Sequence, residues 1–201
     1  MKRKFYIILA FMTFMKEICN FLFELGHLRR IKHEGWRLTG LEEPESIAEH
    51  SLRAAQIGFL LSKLESYPNP QEVSTILVFH DMAECRIGDL HRVAQRYAQI
   101  DEERVVKDQV KPLKKMGVDL LNIWKKFEYR KDKAGLLAKD ADLLEMALTA
   151  REYYARGYHS TQDWINNISK SLKTKSAKKL LACIIESNPV KWWKTLKKIP
   201  E

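Results

Sequence analysis

Cysteine is scarce. The chain carries three, Cys19, Cys85 and Cys183, each in an apolar helical context and none in a CxxC pair. That usage argues against a cysteine metal knuckle and reads as reduced core thiols of an intracellular protein. Long apolar runs are also missing. Phe5 to Met12, behind Lys2-Arg3-Lys4, imitates the basic and apolar parts of a signal peptide. No small-residue cleavage site follows, and the run falls far short of the roughly 20 residues needed to cross a bilayer. Residues 1–14 are therefore expected to add a turn or two of helix at the edge of a domain, with Met15 as an alternative start. Low-complexity tracts are lacking, and no stretch alternates with period 2 between hairpin turns, so strands are not expected.

What remains is a globular composition, 45% hydrophobic and 30% charged in 201 residues, the size of one domain with a proper core. The net charge of +9 favours anionic partners without choosing among nucleotides, nucleic acid and membrane surfaces.

Periodicity predicts helices nearly throughout. Ile18, Leu22 and Leu25 form a stripe that Gly26 closes. A basic connection follows with Arg29, Arg30, Lys32 and Arg37, donors suited to phosphate, and with Trp36 as an aromatic wall or a lid over the core. Ser46 and Glu49 form a capping box for a helix whose apolar face is expected at Leu52, Ala55, Phe59 and Leu60. A further helix is expected from Gln71 to Arg86, with Val73, Ile76, Leu77 and His80 on one face and Gly88 as its stop. Helices over 101–116, 118–129 and 132–156 come next, then two or three short ones between Asp163 and Lys198, broken at Pro189. The expected fold class is all-α, a single helical domain in which residues 159–201 complete the bundle.

Within these helices some polar residues fall where apolar ones are due. His50 lies in the first turns after the capping box, His80 and Asp81 interrupt an apolar run with Glu84 one turn on, and Asp140 and Asp142 interrupt another. Such groups are costly to bury unless something pairs with them, and mixed nitrogen and oxygen donors suit a divalent metal. His27, His33, His91 and His159 lack a partner at ligand spacing and read as surface or loop histidines.

The order His, His-Asp, Asp resembles the HD-domain metal-dependent phosphohydrolases. That resemblance implies an HD-domain helical bundle with His50, His80, Asp81 and Asp142 as ligands to a divalent cation, Mn, Co, Mg, Fe or Zn. Asp142 is taken over Asp140 because the resembling segments place a lysine three residues before the ligand, as Lys139 stands here.

Within that superfamily the residues resemble the small 5'-deoxynucleotidase group from about Phe21 to Tyr154. The matching parts are Gly35-Trp36, Glu49-His50-Ser51-Leu52, His80-Asp81-x-x-Glu84, Gly88-Asp89-Leu90 and Lys139-x-x-Asp142. The resemblance implies removal of phosphate from nucleoside 5'-monophosphates, preferably deoxy, with Glu84 and Asp89 handling protons and Trp36 bordering the sugar. It also implies a cytoplasmic homodimer, without a membrane or a stable nucleic-acid partner. Some members carry an arginine just before the tryptophan; Gly35 stands there in this chain, which passes the phosphate to Arg30, Lys32 or Arg37. Two rivals are an HD-type nuclease or cyclic-nucleotide phosphodiesterase and a non-catalytic helical module that binds nucleic acid.

Overall fold

The computed structural model describes residues 2–194, 196 and 197 and is mainly helical. In chain order the helices are α1 (Lys2–Leu25), α2 (Ile47–Leu64), α3 (Pro70–Phe79), the single turns α4 (Glu84–Ile87) and α5 (Arg92–Gln95), α6 (Glu102–Val110), α7 (Lys115–Tyr129), α8 (Lys133–Tyr154), α9 (Gln162–Ser171), α10 (Lys175–Glu186) and the single turn α11 (Lys191–Lys194). Among the described residues there is no strand, only one isolated antiparallel bridge between Lys32 and Ser46. No described helix is long and apolar enough to cross a membrane.

Helix α8 runs through the middle. Ala134, Leu137, Ala138, Ala141, Leu144, Ala147 and Ala150 leave almost no surface on it, as expected of a helix packed on several sides. Helices α2, α3, α9 and α10 close around it. A second core, formed by Phe21, Met82, Val106, Val110, Leu113 and Trp124, joins the end of α1 to α6 and α7.

The capping box forms as expected, both arms in place: Ser46 Oγ accepts from the Glu49 N–H, and Glu49 Oε2 accepts from the Ser46 N–H at 2.6 Å. The face of α2 is turned relative to the expectation. Leu52 and Leu60 are about 60% exposed and Phe59 is on the edge of exposure, while Ala54, Ala55, Gly58, Leu61 and Ser62 go inside. Close approach explains this, because a Cβ on Gly58 would come within 2.4 Å of Leu77 Cδ1; small residues let α2 lie against α3. In α1, Phe21 rather than Leu22 enters the core. Cys19 and Cys183 are exposed, not core residues.

Two helix boundaries also differ. The helix expected over 101–116 ends at Val110, turns through a 3-10 segment, and restarts after Lys114, whose φ is +56°. Gly117 does not stop a helix; it lies inside α7, where a Cβ would meet the Val110 carbonyl at 2.1 Å. The expected break near Pro189 falls between α10 and α11, whereas Lys198 lies outside the described residues. The expected helix from Gln71 to Arg86 breaks at His80, and this difference builds the site.

Candidate metal centre

Between α3 and α4 the chain makes a tight four-residue turn, with backbone bonds from Met82 N to Phe79 O and from Glu84 N to Asp81 O. Three-residue spacing of those bonds winds the chain faster than an α-helix and swings Asp81 toward the ring of its neighbour. His80 Nε2 lies 2.9 Å from Asp81 Oδ2 and 3.7 Å from Asp142 Oδ1. From α2, His50 Nε2 lies 3.0 Å from Asp142 Oδ1 and 3.7 Å from Asp81 Oδ2. Four donor groups from α2, the turn and α8 thus face one point, and those of His50, His80 and Asp142 fall within 4.8 Å of one another.

Both imidazoles are oriented from behind. His80 Nδ1 lies 2.7 Å from the Leu77 carbonyl, which can only accept, so Nδ1 carries the proton and Nε2 is the free donor atom. His50 Nδ1 lies 2.5 Å from Glu145 Oε2, which sets the same tautomer. His80 Nε2 is buried and has no hydrogen-bond partner despite its nearness to Asp81, and once deprotonated it offers its lone pair to the shared centre. Two imidazoles, two carboxylates and an unsatisfied buried nitrogen fit a divalent cation.

The electrostatics agree. Burial opposes charge on His50, but Glu145 and Asp142 outweigh it and hold its pKa well above the ordinary value. Burial likewise opposes charge on His80, and Asp81 and Asp142 push its pKa up to about 9. Asp142, though buried, is held well below the usual carboxylate range by Lys139 and the two histidines. Asp81 is lowered by His80 and His50 against the effect of burial. The protonated imidazoles supply the positive charge that these acids demand, and a bound cation would take over that role as the protons leave.

Glu84 and Asp89 stand beside this cluster. Burial, then repulsion from Asp81 and Asp89, raises the Glu84 carboxyl well above its ordinary pKa, and Glu84 Oε2 is buried without a partner. Burial also raises Asp89, with His33 opposing. Asp89 Oδ2 accepts from the Glu34 N–H at 2.6 Å and so ties the loop after Gly88 to the 3-10 helix of residues 34–39. Asp140 points elsewhere: its two oxygens accept from the Lys173 and Thr174 amides at 2.9 and 2.7 Å and anchor the start of α10.

The basic connection is arranged differently from the expectation. Trp36 is fully buried among Tyr153, Trp164 and His33, and its Nε1 donates to Glu45 Oε1 at 3.3 Å. It caps the core, and a buried indole has no face to lend to a sugar. Lys32 donates to the Pro44 carbonyl at 3.1 Å and pairs with Glu43, while Arg37 donates to the Glu42 carbonyl at 2.8 Å and pairs with Glu34. Arg30 is exposed at the end of the preceding 3-10 turn. None of these three cations is brought against the metal cluster by a described contact.

Sequence reasoning missed other members. His33 is no free surface residue: the Lys32 to Ser46 bridge folds its segment back, so its ring lies edge-on to His50 with centroids 5.0 Å apart. Glu145 is completely buried, and its Oε1 accepts from Arg53 Nε at 2.9 Å and Thr149 Oγ1 at 3.0 Å. The usable signal was its spacing, since Glu145 sits three residues after Asp142 and on the same helical face.

A family model for the HD domain matches residues 25–183. The chain is 27% identical over 178 residues to the 5'-deoxynucleotidase HDDC2 of Xenopus laevis, covering 85% of this chain and 87% of that protein. It is 27% identical over 169 residues to a 5'-deoxynucleotidase of Photobacterium profundum, covering 75% and 84%. Among solved structures, a conserved hypothetical protein from Pyrococcus furiosus superposes with a TM-score of 0.68 at 25% identity, over 84% of this chain and 99% of that one. Because the family match runs from the end of α1 into α10 and takes in all four converging donors, the chain belongs to the HD-domain family.

Proposed function

We propose that this protein removes the 5'-phosphate from nucleoside monophosphates, deoxyribonucleotides first, using a divalent cation held by His50, His80, Asp81 and Asp142. The observation that carries the reading is the convergence of those donors beside Glu84, a carboxyl whose pKa burial and the neighbouring acids Asp81 and Asp89 raise well above its ordinary value. The curated relatives named as 5'-deoxynucleotidases supply the substrate class.

A cation in this cluster supplies a Lewis acid for the phosphoryl oxygen and lowers the pKa of water. The chain's own groups do the rest. Water attacks phosphorus, the bond from phosphorus to the 5' oxygen breaks, and Glu84 gives its proton to that departing oxygen. Asp89, partly buried and bonded to the Glu34 amide, is the other carboxylate near Glu84, and it is the group assigned the proton that leaves the attacking water. The deoxy preference rests on the relatives and is not assigned to Trp36. A cytoplasmic homodimer belongs to the same proposal, with the exposed apolar stripe Leu52, Leu60 and Leu64 on α2 as the face a second copy would cover.

Phosphate release from deoxy- and ribonucleoside 5'-monophosphates, cyclic nucleotides and single strands, measured across Mn, Co, Mg, Fe and Zn, tests the reading. Turnover confined to 5'-monophosphates supports it. Cleavage of cyclic nucleotides or strands alone replaces it with a phosphodiesterase, and metal binding without turnover of any substrate leaves only a binding module.

A further inference from the structure

Lys32 and Arg37 are engaged with their own loop and Arg30 is exposed, none of them in a described contact with the cluster, yet a phosphate dianion must approach a site rich in carboxylates. Asp81 and Asp142 alone neutralise a divalent ion, and Glu102 and Glu128 add negative charge nearby. We propose that Lys139 is the residue that receives the substrate's phosphate, an inference that rests on the nucleotidase reading above.

Lys139 lies on α8 one turn before Asp142, and its Nζ donates to Asp142 Oδ2 at 2.8 Å. The other oxygen of that carboxylate, Oδ1, is the one that faces His50 and His80, so Asp142 spans the distance between the metal point and the ammonium. An ammonium has three donors, and one spent on Asp142 leaves two for an anion. The side chain is 32% exposed, whereas those of both histidines are about 3% exposed or less, so Lys139 stands where the buried cluster meets solvent. Its position is also fixed. Nζ lies 4.9 Å from the centroid of the Phe127 ring, and Phe127 in turn meets His80 edge-on at 4.6 Å. One aromatic side chain thereby sets the lysine and a metal-facing histidine relative to each other.

Inorganic phosphate is the probe, titrated into metal-loaded wild type, Lys139→Met and Lys139→Arg, with metal affinity and steady-state kinetics measured on each. Lys139→Met is expected to weaken phosphate binding about tenfold to a hundredfold, the loss of one charge-assisted hydrogen bond. It should raise KM more than it lowers kcat and change metal affinity far less than phosphate affinity. Lys139→Arg should restore most of the phosphate binding. Unchanged phosphate affinity in Lys139→Met overturns the inference, as does a wild type that binds metal but no phosphate. Equal loss of metal and phosphate also overturns it, because Lys139 would then act only through Asp142. A wild type that binds phosphate through Lys139 but hydrolyses no nucleoside 5'-monophosphate would sink the nucleotidase reading and leave the phosphate site standing.

Discussion

Glu145 braces His50 from the side away from Asp81 and Asp142: its Oε2 lies 2.5 Å from His50 Nδ1, while Arg53 and Thr149 hold its other oxygen. A carboxylate behind a ligating imidazole fixes the ring and raises its basicity. Glu145→Gln keeps the shape and removes the charge. Metal titration is expected to show affinity lowered about tenfold to a hundredfold. Wild-type affinity in that variant would mean His50 is held by packing alone.

Glu84→Gln should separate binding from chemistry. Glu84 Oε2 is buried without a partner, and no described contact directs it to the imidazoles. Metal content should stay at the wild-type level while kcat falls about 10²- to 10⁴-fold. Parallel loss of metal would make Glu84 a ligand.

Trp36→Ala is expected to act on stability. A fully buried tryptophan among Tyr153 and Trp164 leaves a large cavity when truncated, at a cost of about 3–5 kcal/mol. Denaturant unfolding measures this. A variant that unfolds like wild type but changes its ratio of deoxy- to ribonucleotide turnover would return Trp36 to the sugar site.

Metal-free protein should lose stability as pH rises. His80 binds its proton more tightly folded, at about 9, than unfolded, at 6.5, so its contribution is complete below 6.5 and disappears as pH climbs through about 9. The raised pKa values of His50 and Glu84 act in the same direction. The lowered carboxyls of Asp81 and Asp142 contribute above the acid range and stay constant across this window. Melting temperature in a chelator is expected to fall across that window and to recover on adding metal. A flat or rising profile would contradict the charge arrangement described.

The helical fold was legible because it rests on local signals, the Ser46 and Glu49 capping box and apolar periodicity; polar residues inside apolar runs marked the candidate site, and the set His50, His80, Asp81 and Asp142 came from the family resemblance. The turn at His80 was not, since no glycine or proline marks it and the apolar period runs straight through. Of the two readings of Trp36, aromatic wall or lid over the core, its burial matches the lid; sequence could not choose because the backbone bridge between Lys32 and Ser46, which folds a polar-looking loop back, is a tertiary contact. The face of α2 was turned because Gly58 and Ala54 are buried for being small, and hydropathy favours the larger Leu52 and Leu60. Asp140 and Asp142 were told apart in sequence only by the resemblance, through Lys139 three residues before the second; the physical reason, the amides of Lys173 and Thr174 that claim the first, lies more than 30 residues away.

In the proposed reaction, hydrolysis depends on a cation held by the four converging side chains. The most direct measurement is metal content and phosphate release from a deoxyribonucleoside 5'-monophosphate, in wild type and Asp81→Asn, with circular dichroism to confirm the helical fold. Loss of one ligand from a buried shell should remove both metal and turnover while the helices remain. Full metal occupancy with normal turnover in Asp81→Asn would contradict the account.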